Sequence, residues 1–290
     1  MNRLTTMTRD EIGQQIVRFR DWLNQNQVAT EGSRLDDIIT AAQQVLAAED
    51  ARAYLAGLSR EERGRLVESY FDAYSFVLIF LQMSTLDPRV LPRQLLKDAI
   101  LGPADPADEV PGNETVNARN YMFELELASK FMASGHRVIS FDDIVVDISG
   151  VRINIQCKRI QGIQNLRGTF ARAVQQVQAR IPHTAQYGVV AISLDRVVGT
   201  TTRACFVPQP PDLTTVTRRM IEPYHNDLLE CLRTTLAPRI LGGMLDLKCF
   251  GIAADNAQPV LSRQSACAPL DASLGALRPE SELFKLLIKE

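Results

Sequence analysis

Four polar side chains in the middle of the chain have the types and spacing needed to hold a divalent cation. Asp143 supplies a carboxylate, Gln156 an amide oxygen and Lys158 a compact cation, and Glu124 precedes them. Magnesium prefers one or two carboxylates together with waters and substrate oxygens. A lysine can orient an attacking water or neutralise the charge of a phosphorane. These residue types therefore predict a metal-dependent site that hydrolyses phosphodiesters.

The element that must position three of them is a β-hairpin over Asp143 to Arg159, DIVVDISGVRINIQCKR, with Ser149-Gly150 as its turn. If Ile148 pairs with Val151, Asp143 lies opposite Gln156, and opposed Cβ atoms are about 5 Å apart. Lys158 is one same-face step further, about 6.5 Å along the strand. The other face is then apolar, with Ile144, Val146, Ile148, Val151, Ile153, Ile155 and Cys157. The Cys157 backbone carbonyl lies near the polar patch and is a further candidate ligand.

The second carboxylate is expected from a helix over residues 117–134. Glu124 shares a stripe of that helix with Tyr121, Ala128 and Phe131, so it lies on or beside the core-facing side. A lone carboxylate is costly there without a cation. The alternative is that Glu124 lies at the helix flank and reaches water. Glu126 falls with Lys130 on a face expected to be solvated.

This pattern resembles the PD-(D/E)xK nuclease superfamily, and within it the Mrr-type branch, whose (D/E)xK element often reads Q-x-K. The matching stretches are Phe123-Glu124, Asp142-Asp143-Ile144 and Ile155 to Arg159. The resemblance covers residues 113–200. It implies a restriction-endonuclease-like mixed β-sheet flanked by helices. It also implies that Glu124, Asp143, Gln156 and Lys158 form the catalytic and metal-binding set, with Mg²⁺ (or Mn²⁺) as cofactor.

The sequence departs from the family pattern at two points. Asp142 stands where the family has proline, which leaves Asp142 and Asp143 as alternative ligands, although the strand register favours Asp143. Gln156 replaces an acid, a form compatible with activity that also occurs on the way to inactive members. Two hypotheses follow: a magnesium-dependent deoxyribonuclease, or a non-catalytic module of the same fold for DNA binding or complex assembly.

A local basic surface favours DNA as the partner. No Asp or Glu occurs between Ser149 and Leu194, although the whole chain has a net charge of −2. The helix predicted over residues 168–181 has a core stripe of Phe170, Val174, Val177 and Ile181. The candidate nucleic-acid contacts are Arg159, Arg167, Arg172, Gln176 and Arg180, with Gln175 and Gln178 as alternatives to Gln176. A role in defence against foreign DNA is implied by the resemblance alone.

The rest of the chain predicts an α/β protein with an all-α domain in front. Residues 1–105 have helical patterns throughout and suit packing, a protein partner or a homodimer, and residues 106–290 form the nuclease domain. A strand is expected over 187–194, one at 204–207, a long helix over 213–236, a strand at 240–252 and a loop-like tail before a helix near 280–288. The linker between the two domains is rich in proline, LGPADPADEVPGN.

Composition places the protein in the cytoplasm. Five widely spaced cysteines among 290 residues predict reduced thiols rather than disulfides or a zinc site. The first residues are too polar for a signal peptide. The longest apolar run, Phe76 to Leu81, is far shorter than the ~20 residues that cross a bilayer. We therefore expect no membrane association.

Overall fold

The chain forms a mixed α/β structure around one eight-stranded sheet, seen in a computed structural model. It describes residues 3–7, 9–48, 51–103, 117–181, 186–235, 237, 239–254, 259–269, 284, 285 and 287. The strands are β1 Arg3–Thr6, β2 Arg137–Ser140, β3 Val145–Ile148, β4 Val151–Arg159, β5 Gln186–Ser193, β6 Ala204–Val207, β7 Ile240–Ala253 and β8 Pro259–Pro269. Their order is β1-β8-β7-β5-β4-β3-β2, and β6 pairs with β7.

Helices cover both faces of this sheet. Those before β2 are α1 Arg9–Gln25, α2 Arg34–Ala47, α3 Ala51–Gly57, α4 Arg60–Met83, α5 Arg93–Ile100 and α6 Asn117–Ala133. Those after β4 are α7 Leu166–Arg180, α8 Asp195–Val198, α9 Thr200–Arg203, α10 Asp212–Ile221 and α11 His225–Arg233. Helix α4 begins with a reciprocal capping box formed by Ser59 and Glu62.

Strand direction changes from the centre of the sheet to its edges. Strands β4, β5 and β7 are parallel, and the β2–β3–β4 and β7–β8–β1 pairs are antiparallel. Because parallel strands need a crossover, α7 joins β4 to β5 across one face, where it packs with α10 and α11. The other face is covered by α4 and α6. The resulting three layers place α6 and α7 on opposite sides of β4.

The N-terminal helices share their core with the sheet. The rings of Tyr70 and Phe71 in α4 lie 5.4 and 6.1 Å from the ring of Phe250 in β7. The predicted boundary between residues 105 and 106 falls in a segment outside the described residues. Helix α5, before that segment, packs against α6, after it. The apolar contacts therefore continue from the first hundred residues into the sheet.

Three expectations about secondary structure are wrong. The N-terminal region is not all helical, because β1 pairs antiparallel with β8, and residues 259–269 of the supposed loop-like tail form that strand. The long helix over 213–236 is two helices, since a 3-10 turn at Glu222–Tyr224 separates α10 from α11. Pro223 has no backbone N–H to continue an α-helix.

Helix α4 is long and apolar enough to cross a membrane by length and composition. However, 78% of its most apolar stretch is buried inside the protein, as in the core helix of a soluble protein. The aromatic ring of Phe76 in this helix stacks on Phe19 of α1 at 5.3 Å. The apolar surface of α4 is thus used to pack the other helices and the sheet.

Candidate active site

The hairpin has the predicted register. Ile148 pairs with Val151, and the N–H of Ile155 donates to the carbonyl of Ile144 at 2.8 Å. Ser149 and Gly150 have φ angles of 53° and 85°, the left-handed pair that a tight two-residue hairpin turn requires. Asp143 and Gln156 are therefore brought to the same end of the strand pair.

The tip of the hairpin is held by a turn contact rather than by an ion pair. The Asp147 carboxylate accepts a hydrogen bond of 2.9 Å from the N–H of Gly150. Arg152 lies opposite Asp147 in the register, as expected. Within the described residues, however, these two side chains make no salt bridge.

Asp143, not Asp142, contacts the second strand. The Gln156 side-chain amide donates to Asp143 Oδ1 at 3.4 Å, and Gln156 is only 3% exposed. Asp142 is exposed, and its backbone carbonyl accepts from the Ser140 hydroxyl at 2.8 Å. Asp143 has a φ of 49°, because the chain turns there before β3 begins. The contact with Gln156 agrees with the predicted choice of Asp143.

Glu124 comes to this cluster from α6 and is buried. Its side chain lies in the core-facing part of the helix and is 9% exposed. Burial, with the carboxylates of Asp143 and Asp142 adding to the effect and Lys158 and Arg180 opposing it, raises the pKa of Glu124 to about 8. Its Oε2 atom is buried and has no hydrogen-bond partner among the described residues. Glu124 is thus an acid held close to other acids.

Lys158 is half-buried close to the carboxyl of Glu124. It forms no hydrogen bond or ion pair with the part of the chain that the structure describes, so its ammonium is available to a ligand. Since Lys158 lies two residues after Gln156 along β4, both side chains leave the strand on the same face. Its position agrees with the predicted step beyond Gln156.

Arg180, predicted to contact nucleic acid, binds Gln156 and Asp143 in this structure. Its guanidinium donates to the Gln156 side-chain oxygen at 2.8 Å and forms an ion pair with Asp143. Arg180 is the last residue of α7, and that helix packs on β4. A positive charge therefore already neutralises Asp143 in this structure.

The thiol and the backbone carbonyl of Cys157 lie in different surroundings. Its thiol is buried with the apolar side chains, and burial raises the pKa of that thiol well above its ordinary value, with Glu124 adding to the effect. The Ile155 N–H points toward the Ile144 carbonyl. Two residues further along a strand the backbone groups point the same way, so the Cys157 carbonyl is directed toward the Asp143 side.

The remaining basic candidates do not surround the cluster uniformly. Arg159 leaves β4 on the face opposite Lys158 and lines a cavity of about 220 Å³ that also contains Asp72 and Asp195. Arg167 is exposed and pairs with Glu230 at 3.5 Å. Arg172 and Gln176 are exposed on α7, together with the alternatives Gln175 and Gln178. The predicted core stripe of α7 is confirmed, since Phe170, Val174, Val177 and Ile181 are buried.

A buried charge network on the far side of α6 was missed. Glu126 was expected to be solvated, which is wrong: it is 3% exposed and binds Lys248 at 2.7 Å and Arg263 at 3.1 Å. Arg263 also binds Asp246 at 2.6 Å, and Lys130 lies 3.8 Å from Asp246. One feature of the sequence indicates that Glu126 is buried: apolar residues occur on every side of α6 and leave this helix no polar face.

The donor set fits a divalent cation by its chemistry. Two carboxylates, an amide oxygen and a backbone carbonyl are hard oxygen ligands of the kind that Mg²⁺ and Mn²⁺ take. The buried Glu124 Oε2 is an acceptor in need of a cation or a donor. Among the described residues, no group of three or more His, Cys, Asp or Glu side chains is arranged for a metal, so the protein would offer at most two carboxylates here.

The comparisons with known proteins identify no relative. No family model, no curated protein and no solved structure matches the chain. The resemblance to a nuclease superfamily therefore rests on the sequence of the hairpin and of α6 alone.

Proposed function

We propose that the protein is a metal-dependent nuclease of the PD-(D/E)xK superfamily, with a restriction-endonuclease-like sheet and an Mrr-type Q-x-K element. The observation that carries this proposal is the buried Oε2 of Glu124, near Asp143 and Gln156, which has no hydrogen-bond partner among the described residues. A buried carboxylate of this kind is costly unless a cation joins it. The substrate we propose is DNA, and the reaction is hydrolysis of a phosphodiester bond.

Each residue has a role that its position allows. Glu124, Asp143, Gln156 and the Cys157 carbonyl would hold Mg²⁺ or Mn²⁺, which when bound supplies Lewis-acid polarisation and a more acidic water. Lys158, whose ammonium has no partner within the described residues, would neutralise the charge that develops on the phosphate or orient the attacking water. Arg180 would exchange its contact with Asp143 for a phosphate oxygen of the substrate.

The partner and setting follow from charge and from the resemblance. The exposed Arg172 and Gln176 on α7 extend the polar surface of the site, in a stretch of sequence without acidic residues. Phosphate contacts from such residues give salt-dependent, sequence-independent affinity. We propose a cytoplasmic protein that acts in defence against foreign DNA, in which the N-terminal helices recruit a protein partner or a second copy.

Cleavage assays with matched lysine variants test the proposal. The purified protein is incubated with linear, circular and single-stranded DNA and with RNA, in Mg²⁺ or Mn²⁺. Lys158→Ala should lower the cleavage rate by about 100-fold or more, in the range lost with a positioned acid–base or charge-stabilising group. Lys97→Ala, at an exposed position on α5, should change it less than two-fold. Absence of cleavage on every substrate, or unchanged cleavage by Lys158→Ala, contradicts the proposal.

A second candidate function is a non-catalytic DNA-binding or assembly module of the same fold. It is favoured by Arg180, whose guanidinium satisfies both Asp143 and Gln156 without a metal. Thermal unfolding with and without millimolar Mg²⁺ separates the two functions, because a ligand that binds only the folded state stabilises it. A nuclease should gain stability from Mg²⁺, and Asp143→Asn should abolish that gain. A module should show no gain in either protein.

A further inference from the structure

A cavity of about 640 Å³ lies away from the acid cluster, between the first turns of α4, helix α9 and strands β6 and β7. None of the candidate catalytic residues lines it. Pockets of about 300–1,000 Å³ with mostly apolar walls and a few polar groups are typical of small-molecule sites. The volume of this cavity therefore falls in the range of small-molecule sites.

The walls of the cavity are apolar. Val67, Phe250 and Ile252 are buried side chains of α4 and β7 that face it. Phe206 of β6 is 53% exposed, one of the few large apolar side chains with such exposure among the described residues. An exposed aromatic ring beside a concave apolar surface is a favourable contact for an apolar ligand.

Positive charge is concentrated at one end of the cavity. Arg60 and Arg63 lie in the first turn of α4 and line it, and its described lining residues include no Asp or Glu. The Arg63 guanidinium donates to the Leu58 carbonyl at 3.1 Å, which holds its charge near the cavity. Charge complementarity therefore favours a ligand with a negative head group.

Gly64 keeps the cavity open at a position where packing does not demand glycine. It lies inside α4, where glycine disfavours the helix. A Cβ atom built on Gly64 would meet no heavy atom within 4 Å, so no close approach of backbone or side chain excludes a larger residue. Because Gly64 also lines the cavity, we expect a larger side chain there to take up part of the space that a ligand needs.

We propose that this cavity binds a small amphipathic anion, with its apolar body against Val67, Phe206 and Phe250 and its acidic head at Arg60 and Arg63. The ligand class is an organic carboxylate, sulfonate or phosphate of moderate size. This site is independent of the proposed nuclease centre, since the two share no residue.

Binding of 1-anilinonaphthalene-8-sulfonate to the folded full-length chain tests the site, followed by displacement with decanoate and with decanol. The wild type should bind the fluorophore at one saturable site, and decanoate should displace it at least ten-fold more effectively than decanol. Gly64→Phe should weaken fluorophore binding at least ten-fold. Gly168→Phe is the matched control, since Gly168 of α7 is also open to a Cβ atom and lies outside this cavity, and it should leave binding unchanged.

Arg60→Gln tests the head-group contact and should lower the preference for decanoate over decanol at least three-fold. Near-ultraviolet circular dichroism of each variant shows that the fold is retained, because the fluorophore also binds loosely packed states. Equal affinity in wild type and Gly64→Phe overturns the proposal. Equal displacement of the fluorophore by decanoate and decanol also overturns it. So does displacement of the fluorophore by an added amphipathic acidic peptide when decanoate displaces none.

Discussion

Replacing Glu124 by glutamine should stabilise the metal-free protein at neutral pH. The carboxyl is 9% exposed, and burial, with the charges of Asp143 and Asp142 adding, raises its pKa from an ordinary 4.5 to about 8. A glutamine of nearly the same size cannot ionise. The variant therefore removes the free-energy cost of keeping this carboxyl protonated in the folded protein at neutral pH, and its amide can donate to the neighbouring carboxylate.

The size of the effect follows from proton binding in the two states. Below pH 4.5 the carboxyl is protonated in both the folded and the unfolded protein, so it does not alter stability. Between pH 4.5 and about 8 the unfolded chain releases the proton while the folded chain keeps it. The free energy of unfolding then falls by about 1.4 kcal/mol per pH unit, or about 3 kcal/mol by pH 7. Above about pH 8 the penalty is constant.

Urea unfolding of wild type and Glu124→Gln in EDTA, at pH 5, 6, 7 and 8, measures this penalty. The variant should exceed the wild type by less than about 1 kcal/mol at pH 5 and by about 3 kcal/mol at pH 7. Glu61→Gln, at a side chain 81% exposed, should show no such trend. A difference that does not change with pH, or a variant less stable at every pH, refutes the reasoning. Millimolar Mg²⁺ should reduce the difference, because only the wild type can offer the ionised ligand.

Two further substitutions test what holds the fold around the site. Glu126→Gln leaves Lys248 and Arg263 buried without their shared carboxylate, and should lower the free energy of unfolding by about 3–5 kcal/mol in urea titrations. Ser59→Ala removes the hydroxyl that accepts from the Glu62 N–H at the start of α4, and should lower the free energy of unfolding by about 1 kcal/mol.

Each of these substitutions has a surface counterpart. Glu61→Gln has the chemistry of Glu126→Gln on an exposed side chain and should change stability by less than about 0.5 kcal/mol. Ser84→Ala, at the exposed C-terminal end of α4, is the counterpart of Ser59→Ala and should also change stability by less than about 0.5 kcal/mol. A loss below about 1 kcal/mol for Glu126→Gln would mean that water reaches the network. An unchanged Ser59→Ala would mean that the end of α4 frays.

Features set by near neighbours in sequence could be predicted. The hairpin register follows from a two-residue turn and from a side-chain period of two, and it brings Asp143 to Gln156 as expected. The apolar stripe of α7 and the capping box of α4 follow in the same way from helical spacing. In each case the interacting residues lie within about a dozen positions of one another.

Features set by distant parts of the chain were missed. Strand β8 contains Arg263 and Gln264, which read as solvated loop residues, yet both are buried because β1, β7 and α6 surround them. Glu126 was assigned to the surface for the same reason, since its partners Lys248 and Arg263 are more than a hundred positions away.

The sequence by itself determined the arrangement of Asp143, just before β3, with Gln156 and Lys158 on β4, because the hairpin turn and strand alternation fix the register locally. It also indicated that Glu124 lies on the buried side of its helix. Only the tertiary structure decided what surrounds them: α6 buries the Glu124 carboxylate, and α7 places Arg180 on Asp143. Both depend on the helices packing against opposite faces of one sheet, a long-range arrangement that no local pattern encodes.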